Sequence, residues 1–199
     1  MKSRRIILAS ASPRRRELLG LICPEFEVGP SDFDESRISS ELPPAEYVAV
    51  SARRKARAVA SGLDNAIVIG ADTIVVVGGE ILGKPSDTDD ARRMLRIISG
   101  RTHQVYTGLC VIEIRNGTTI EKSGIESTDV TVRRLTDSMI ERYLTTGEPM
   151  DKAGAYAIQG KGAVLIERIK GCYFNVVGLP IYLLSLLLEE LGMEVFDCH

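Results

Sequence analysis

Apolar residues in this chain fall into short uninterrupted runs that alternate with longer amphipathic stretches. Residues 66–70 form one such run, which is typical of a strand covered on both faces. A second run, 74–77, continues through the turn pair Gly78-Gly79 into 80–82, and a two-glycine turn between apolar segments predicts a hairpin. The polar interruption at 71–73 predicts that the first strand ends just before Asp72.

Helices are predicted where apolar positions recur every three or four residues between start and stop signals. The clearest example begins with Ser12 as N-cap and Pro13 as first helical residue. Another ends before Gly62 and carries an apolar stripe beside Lys55. The predicted helices are 13–21, 44–60, 88–98, 137–145 and 180–191.

The remaining apolar segments predict strands, and the segment 23–43 is irregular and acidic. Asn116-Gly117 predicts a type I′ hairpin between two long strands. The further predicted strands are 5–9, 102–113, 118–133, 163–169 and 173–177. Alternating helices and strands with at least two hairpins predict an α/β fold with a mixed sheet, built as one domain over residues 1–199, with two lobes.

Composition narrows the class of protein. The chain has 44% hydrophobic and 26% charged residues, as in ordinary globular proteins, and its net charge of −2 argues against a nucleic-acid binder. The four cysteines, at 23, 110, 172 and 198, lack zinc-ligand spacing and favour a reducing compartment. The longest apolar stretch, 179–188, contains Pro180 and is too short to cross a membrane. We therefore expect a cytoplasmic protein that binds neither nucleic acid nor membrane.

Three consecutive arginines, Arg14, Arg15 and Arg16, occupy the first turn of the first predicted helix. A helix N-terminus is already positively polarised, so cations there destabilise the helix. Their presence beside the hydroxyls of Ser10 and Ser12 predicts a site for a multiply charged anion, such as a phosphate chain. The alternative is that the arginines extend into solvent.

Asp72 is the leading candidate for chemistry because it follows a buried strand. Open α/β sheets bind ligands at that end of their strands. An isolated aspartate there is more commonly a turn residue that bonds its own backbone. The accompanying polar residues favour the functional interpretation, although each could be an ordinary surface or strand residue: Glu35, Lys55, Thr73, Lys84, Lys152 and Gln159.

This set suits hydrolysis of a triphosphate. That reaction needs cations to hold the phosphates, carboxylates for a divalent metal, and a carboxylate to orient or deprotonate water. The chain has no Walker A motif, no Gly-x-Ser-x-Gly elbow and no triad partner indicated for His103. The residues by themselves indicate a phosphate-handling, metal-dependent enzyme and leave its substrate open.

Several ordered motifs closely resemble the Maf family of nucleoside triphosphate pyrophosphatases across nearly the whole chain. They are residues 8–15 (LASASPRR), 54–56 (RKA), 70–73 (GADT), 83–85 (GKP), 99–103 (SGRTH), 151–156 (DKAGAY) and 177–180 (VGLP). The resemblance implies a Maf/Ham1-like fold, an elongated mixed sheet flanked by helices with a central cleft. It also implies cleavage between the α and β phosphates, Mg²⁺ or Mn²⁺ as cofactor and, together with the apolar last helix, a homodimer.

Roles for individual residues follow from the same resemblance. Asp72 matches the proton acceptor, and with Glu35 it would bind the metal. Arg14, Thr73 and Gln159 match positions that set base specificity. The positions that match contacts to phosphates or metal are Ser10, Ser12, Arg15, Glu35, Lys55, Lys84 and Lys152.

The segment around Gln159 looks like the branch acting on dTTP and UTP, a house-cleaning activity linked to cell-division arrest. A glutamine amide can pair with the donor–acceptor edge of uracil or thymine. Two alternatives stay open. One is a nucleotide-sensing regulator of septum formation with vestigial hydrolysis, and the other is a pyrophosphatase of the ITP/XTP or 7-methyl-GTP type.

Overall fold

The computed structural model describes residues 4–39 and 41–197, so Cys198 and His199 lie outside the described residues. It contains a seven-stranded sheet in the order β2-β1-β3-β5-β6-β7, with β4 paired to β3. The strands are β1 (Arg5–Leu8), β2 (Glu27–Val28), β3 (Asn65–Val77), β4 (Glu80–Leu82), β5 (Thr102–Arg115), β6 (Thr118–Val132) and β7 (Ile166–Lys170).

The sheet is mixed, as predicted. Strand β1 pairs in parallel with β2 and β3, whereas β4 and β7 pair antiparallel with β3 and β6. Both predicted hairpins form. Gly78 and Gly79 have φ of 58° and 89°, and Asn116 and Gly117 have φ of 49° and 76°, which is the left-handed geometry that type I′ turns require.

Six helices accompany the strands in the described chain. Helix α3 has the predicted bounds, and its buried Ala91, Met94, Leu95 and Ile98 lie on one face. The helices are α1 (Pro13–Gly20), α2 (Pro44–Ala60), α3 (Thr88–Ile98), α4 (Asp137–Leu144), α5 (Tyr173–Val177) and α6 (Ile181–Glu189). No helix among the described residues is long and apolar enough to traverse a bilayer.

Sequence predictions about three segments outside β3 are wrong. Residues 173–177 form helix α5 rather than a strand, and the buried Asn175 within it bonds to Val105 O and Thr128 Oγ1. Residues 160–165 form 3₁₀ turns, so the predicted strand 163–169 begins only at Ile166. The acidic segment 23–43 contains the short strand β2 and a 3₁₀ turn at Glu35–Arg37.

The chain divides into two compact units. The first takes its described residues from Met1–Asp72, Thr107–Glu126 and Gly178–His199, and the second from Thr73–Tyr106 and Ser127–Val177. Within the first unit, Ala52 and Ala56 of α2 pack with Val68 of β3 in a buried apolar cluster. Within the second, Leu95 of α3 and Ile140 of α4 belong to another buried cluster, which includes Val75 of β3.

Gly70 explains how closely α2 approaches β3. A Cβ at this position would lie 2.4 Å from the carbonyl oxygen of Ala52 and 2.8 Å from the Cβ of Ala56. Only a residue without a side chain permits this approach. The contact fixes the distance of α2 from β3. It therefore also fixes the position of Lys55, the residue next to Ala56 on α2.

Candidate active site

Asp72 lies inside strand β3 and not after its end, so the predicted strand break at 71–73 is wrong. Strand β3 continues from Asn65 to Val77, and Asp72 is only 5% exposed. A buried carboxylate needs a compensating partner because desolvation of an isolated charge is costly. Lys55 supplies it, since its Nζ lies 2.6 Å from Asp72 Oδ1.

Lys55 binds two carboxylates at once. Its Nζ also lies 2.7 Å from Glu35 Oε1, and the Lys55 side chain is only 12% exposed. Glu35 is half exposed, at the start of the 3₁₀ turn that Asp34 caps with its side chain. The structure thus brings together Glu35, Lys55 and Asp72, three of the predicted site residues.

The second oxygen of the Asp72 carboxylate differs from the first. Asp72 Oδ2 is buried and has no hydrogen-bond partner within the described residues. Buried polar atoms in native proteins are nearly always paired, so an unpaired carboxylate oxygen is notable. Such an oxygen can accept a proton from water or bind a cation.

Tyr47, on α2, is close enough to Asp72 and Glu35 for their negative charges to affect its phenol. Burial raises the pKa of the Tyr47 phenol, and the negative charges of Asp72 and Glu35 raise it further. The phenol therefore stays protonated as the neutral neighbour of two carboxylates.

Helix α1 begins as predicted. The Ser12 hydroxyl caps it by accepting the backbone N–H of Arg15, at 3.5 Å, and Pro13 is the first helical residue. Arg14 and Arg15 are half-buried, whereas Arg16 is exposed. The three arginines are therefore not equivalent.

Arg15 is an internal brace. Its Nη1 donates to Ser10 Oγ at 3.1 Å and to the Ala71 carbonyl at 3.0 Å, and its Nε donates to the Gly178 carbonyl at 2.9 Å. Burial lowers the pKa of Arg15, the carboxylates of Asp72 and Glu35 oppose that shift, and Arg14 adds to it. Arg15 thus links β1 and α1 to the residue that precedes Asp72.

The oxygen atoms of Asp72 and Glu35 are the candidate ligands for a metal ion in this site. Among residues 4–39 and 41–197 there is no cluster of three or more His, Cys, Asp or Glu side chains suited to hold an ion. Mg²⁺, however, commonly binds through one or two carboxylates together with substrate phosphates. Asp72, with its unpaired Oδ2, and the half-exposed Glu35 fit that pattern.

The other predicted residues belong to the second unit. Thr73 and Gln159 are half-buried, and Lys84 is exposed in the turn after β4. Lys152 is more constrained, since its Nζ donates to the Glu148 carbonyl at 2.8 Å and contacts Asp151 Oδ1 at 2.5 Å.

The segments that carry Lys84 and Lys152 are joined. The Gly154 N–H donates to the Gly83 carbonyl at 3.0 Å, and Gly154 has a φ of 70°. A Cβ there would lie 3.0 Å from Val75 Cγ1. The positive φ and the closeness of Val75 explain why residue 154 is a glycine.

Sequence reasoning missed two polar groups of the second unit, one half-buried and one buried. Glu148 accepts hydrogen bonds from Tyr143 and from the backbone of Lys161 and Gly162. His103 Nε2 lies 2.8 Å from the Tyr156 hydroxyl, and both residues are buried. Both groups contact residues 153–162, and the three glycines of that stretch were the one available signal.

Comparison with known proteins gives sequence matches over nearly the full chain. The family model described as Maf-like protein matches residues 5–191. A dTTP/UTP pyrophosphatase of Moorella thermoacetica is 52% identical over 192 residues, which cover 96% of this chain and 97% of that protein. One of Methanosarcina mazei is 50% identical over 195 residues, or 98% of each chain. The solved Ham1 protein of Staphylococcus aureus aligns with a TM-score of 0.46 at 17% identity, covering 82% of this chain and 80% of its own.

Proposed function

Since the chain belongs to the Maf family, we propose that it is a nucleoside triphosphate pyrophosphatase that hydrolyses dTTP and UTP to the monophosphate and pyrophosphate. Relatives that are about half identical over nearly their full length are dTTP/UTP pyrophosphatases, which supports the reaction and the substrates. The observation that carries the proposal is the buried Asp72 carboxylate, with one oxygen held by Lys55 and the other unpaired.

In the proposed reaction, Asp72 Oδ2 accepts a proton from a water molecule as the water oxygen attacks the α-phosphorus. The bond from the α-phosphorus to the bridging oxygen breaks, and pyrophosphate leaves with the electron pair of that bond. Lys55, fixed on α2, orients the Asp72 carboxylate through the 2.6 Å contact with Oδ1. Water activation by a positioned base accounts for about 10²–10⁴-fold of rate.

We propose Mg²⁺ or Mn²⁺ as the cofactor, held by Asp72 and Glu35. Both metals prefer the hard oxygen ligands that these side chains offer. When bound, the cation would withdraw charge from the phosphate being attacked.

The remaining site assignments are part of the proposal. Phosphate binding is assigned to Ser10, Ser12, Arg15, Lys55, Lys84 and Lys152. Base recognition is assigned to Arg14, Thr73 and Gln159. The Arg15 contacts support an additional bracing role, because three of its hydrogen bonds go to protein acceptors.

We further propose that residues 1–199 act as one functional domain and that the enzyme is a cytoplasmic homodimer. Tyr182 on the apolar helix α6 is 70% exposed, which supports a protein surface available for pairing. Light scattering of the purified protein across a concentration series measures the oligomeric state directly.

The decisive experiment measures pyrophosphate release from dTTP, UTP, CTP, ITP and 7-methyl-GTP by the wild-type protein and by Asp72→Asn. We expect dTTP and UTP to be preferred, and the variant to lose about 10²–10⁴-fold in kcat while still binding UTP in calorimetry. Asp129→Asn, in β6, is the matched control and should keep wild-type turnover. Full activity of Asp72→Asn would overturn the assignment of the base, and absence of dTTP and UTP hydrolysis by the wild type would overturn the function.

A further inference from the structure

Glu148 gathers an unusual number of donors for one side chain on a surface turn. Its Oε1 accepts the Tyr143 hydroxyl at 2.8 Å and the Gly162 N–H at 2.9 Å, and its Oε2 accepts the Lys161 N–H at 2.9 Å. Its own carbonyl oxygen accepts Lys152 Nζ at 2.8 Å. Glu148 is therefore bonded both to Lys152 and to the loop that follows Gln159.

Tyr143 completes the arrangement from helix α4. Its hydroxyl donates to Glu148 and accepts the Ala157 N–H at 3.1 Å. Two side chains thus hold three main-chain N–H groups, at 157, 161 and 162. Gln159 lies between these anchor points, two residues after 157 and two residues before 161.

The backbone closes tightly around this pair. A Cβ at Gly160, whose φ is 65°, would lie 2.6 Å from Glu148 Oε2. A Cβ at Gly162 would lie 2.6 Å from the Tyr143 hydroxyl. The two glycines let the loop wrap the carboxylate and the phenol, so the loop conformation depends on both polar groups.

Glu148 is ionised, which strengthens the hydrogen bonds by which it holds the loop. Burial opposes ionisation of Glu148, but the hydrogen bonds from the Gly162 and Lys161 N–H groups and from Tyr143, together with the charge of Lys152, lower the pKa of the carboxyl. The pKa of Tyr143 is raised by burial and by its hydrogen bond to Glu148, so the phenol stays a donor. Hydrogen bonds to an ionised acceptor are about twice as strong as neutral ones.

We propose that Glu148 and Tyr143 are positioning residues that fix Gln159 for base recognition and aim Lys152, so that they determine nucleotide selectivity without touching the nucleotide. This inference rests on the proposed function, because it assigns Gln159 to the base. Loss of either side chain frees the 157–162 loop. The enzyme then loses discrimination between UTP and CTP more than it loses the chemical step.

The test compares Glu148→Gln with Glu141→Gln, a matched control on α4 whose carboxylate is half exposed and pairs with Arg92. Glutamine keeps the shape of Glu148 but turns an N–H group toward a backbone N–H. We expect KM for UTP to rise about tenfold, kcat to stay within about twofold, and the preference for UTP over CTP to fall about tenfold. The control should match the wild type in all three.

A structural role alone gives a different result, namely a lower Tm with unchanged KM and unchanged selectivity in the folded fraction. That result overturns the inference, provided the wild type hydrolyses dTTP and UTP. An inactive wild type overturns the proposed function instead. Tyr143→Phe removes the hydrogen bonds of the hydroxyl to Glu148 and to Ala157 together, and it should reproduce the selectivity loss.

A measurement on the wild type covers the case in which both variants fail to fold. Hydrogen exchange is followed by mass spectrometry in peptides spanning 153–165, with and without a non-hydrolysable UTP analogue. We expect the analogue to slow exchange at 157–162 more than the corresponding CTP analogue does. Equal exchange with both analogues contradicts the inference.

Discussion

Lys55 Nζ lies 2.6 Å from Asp72 Oδ1, while Oδ2 of the same carboxylate is buried without a hydrogen-bond partner in residues 4–39 and 41–197. The two oxygens of one side chain thus have opposite environments. One is fixed by an ammonium group from α2, and the other is left available. Oδ1 therefore makes the structural contact, and Oδ2 is the oxygen available for the proposed reaction.

Removing the ammonium should destabilise the fold. In Lys55→Met the Asp72 charge stays buried without its partner, which costs about 3–5 kcal/mol when a buried pair is broken from one side. Urea denaturation measures the loss. In the double variant Lys55→Met with Asp72→Asn, the free energy of unfolding should be about 1–3 kcal/mol higher than in Lys55→Met alone, since the uncompensated charge is gone. Strictly additive losses would show that the pair is not coupled.

Arg15→Lys should weaken the brace beside Asp72. A lysine has no planar fork, so it can replace at most part of the contacts to Ser10, Ala71 and Gly178. We expect a loss of about 1–3 kcal/mol in the free energy of unfolding, because buried carbonyl oxygens lose their donor. Arg16→Lys, at the exposed neighbouring position, is the control and should stay within about 0.5 kcal/mol. A change in KM without a change in stability would show that Arg15 acts only on substrate.

Gly70→Ala should disturb the distance between α2 and β3. The added methyl meets the Ala52 carbonyl and the Ala56 backbone, so α2 must move and carry Lys55 with it. We expect destabilisation of about 1–3 kcal/mol together with reduced kcat, measured by thermal unfolding and by pyrophosphate release. Gly20→Ala, at the exposed end of α1, has room for the methyl and should be neutral or stabilising by up to about 1 kcal/mol. Equal effects of the two substitutions would contradict the close-approach argument.

His103 should make stability depend on pH in a defined window. Burial lowers the pKa of His103 to about 4, whereas in the unfolded chain it is 6.5. Between these values the unfolded chain binds a proton that the folded chain does not, so the free energy of unfolding falls as the pH decreases from 6.5 to 4, by about 3 kcal/mol from this group. The slope should be smaller in His103→Asn. The same slope in both proteins would contradict the assignment.

Local signals explain why much of the fold was predictable. The bounds of α2 and α3 and the cap of α1 follow from neighbouring residues: Pro44 and Gly62, the stripe ending at Ile98, and the Ser12 hydroxyl. Both hairpins follow from turn pairs that favour positive φ. These signals act within a few residues, so no knowledge of the tertiary structure is needed.

The errors arise where tertiary contacts override local preference. Residues 173–177 have the composition of a strand, but the Asn175 side chain is bonded to β5 and β6 residues and the segment is helical. Asp72 looked like a strand break because a carboxylate is rare inside a buried strand. Its ammonium partner is 17 residues earlier in the chain, on a different element.

The sequence named candidate residues but not their arrangement. Resemblance to the family selected Glu35, Lys55 and Asp72, and the structure brings these three together, whereas their catalytic roles stay a prediction. The bracing contacts of Arg15 go to backbone carbonyls 56 and 163 residues away. Carbonyl acceptors carry no residue-specific signal in a sequence, so those contacts could not have been inferred from it.

The electrostatic balance around Asp72 has a consequence for how a nucleotide reaches it. Arg14, Arg15 and Lys55 contribute three positive charges, and Glu35 and Asp72 contribute two negative ones. This group keeps a surplus of a single positive charge, so it exerts little long-range attraction on a polyphosphate. Under the proposed assignment, capture of the nucleotide by these five side chains should therefore vary only weakly with ionic strength. Their close-range contacts, rather than long-range electrostatic attraction, should govern how long the nucleotide stays bound.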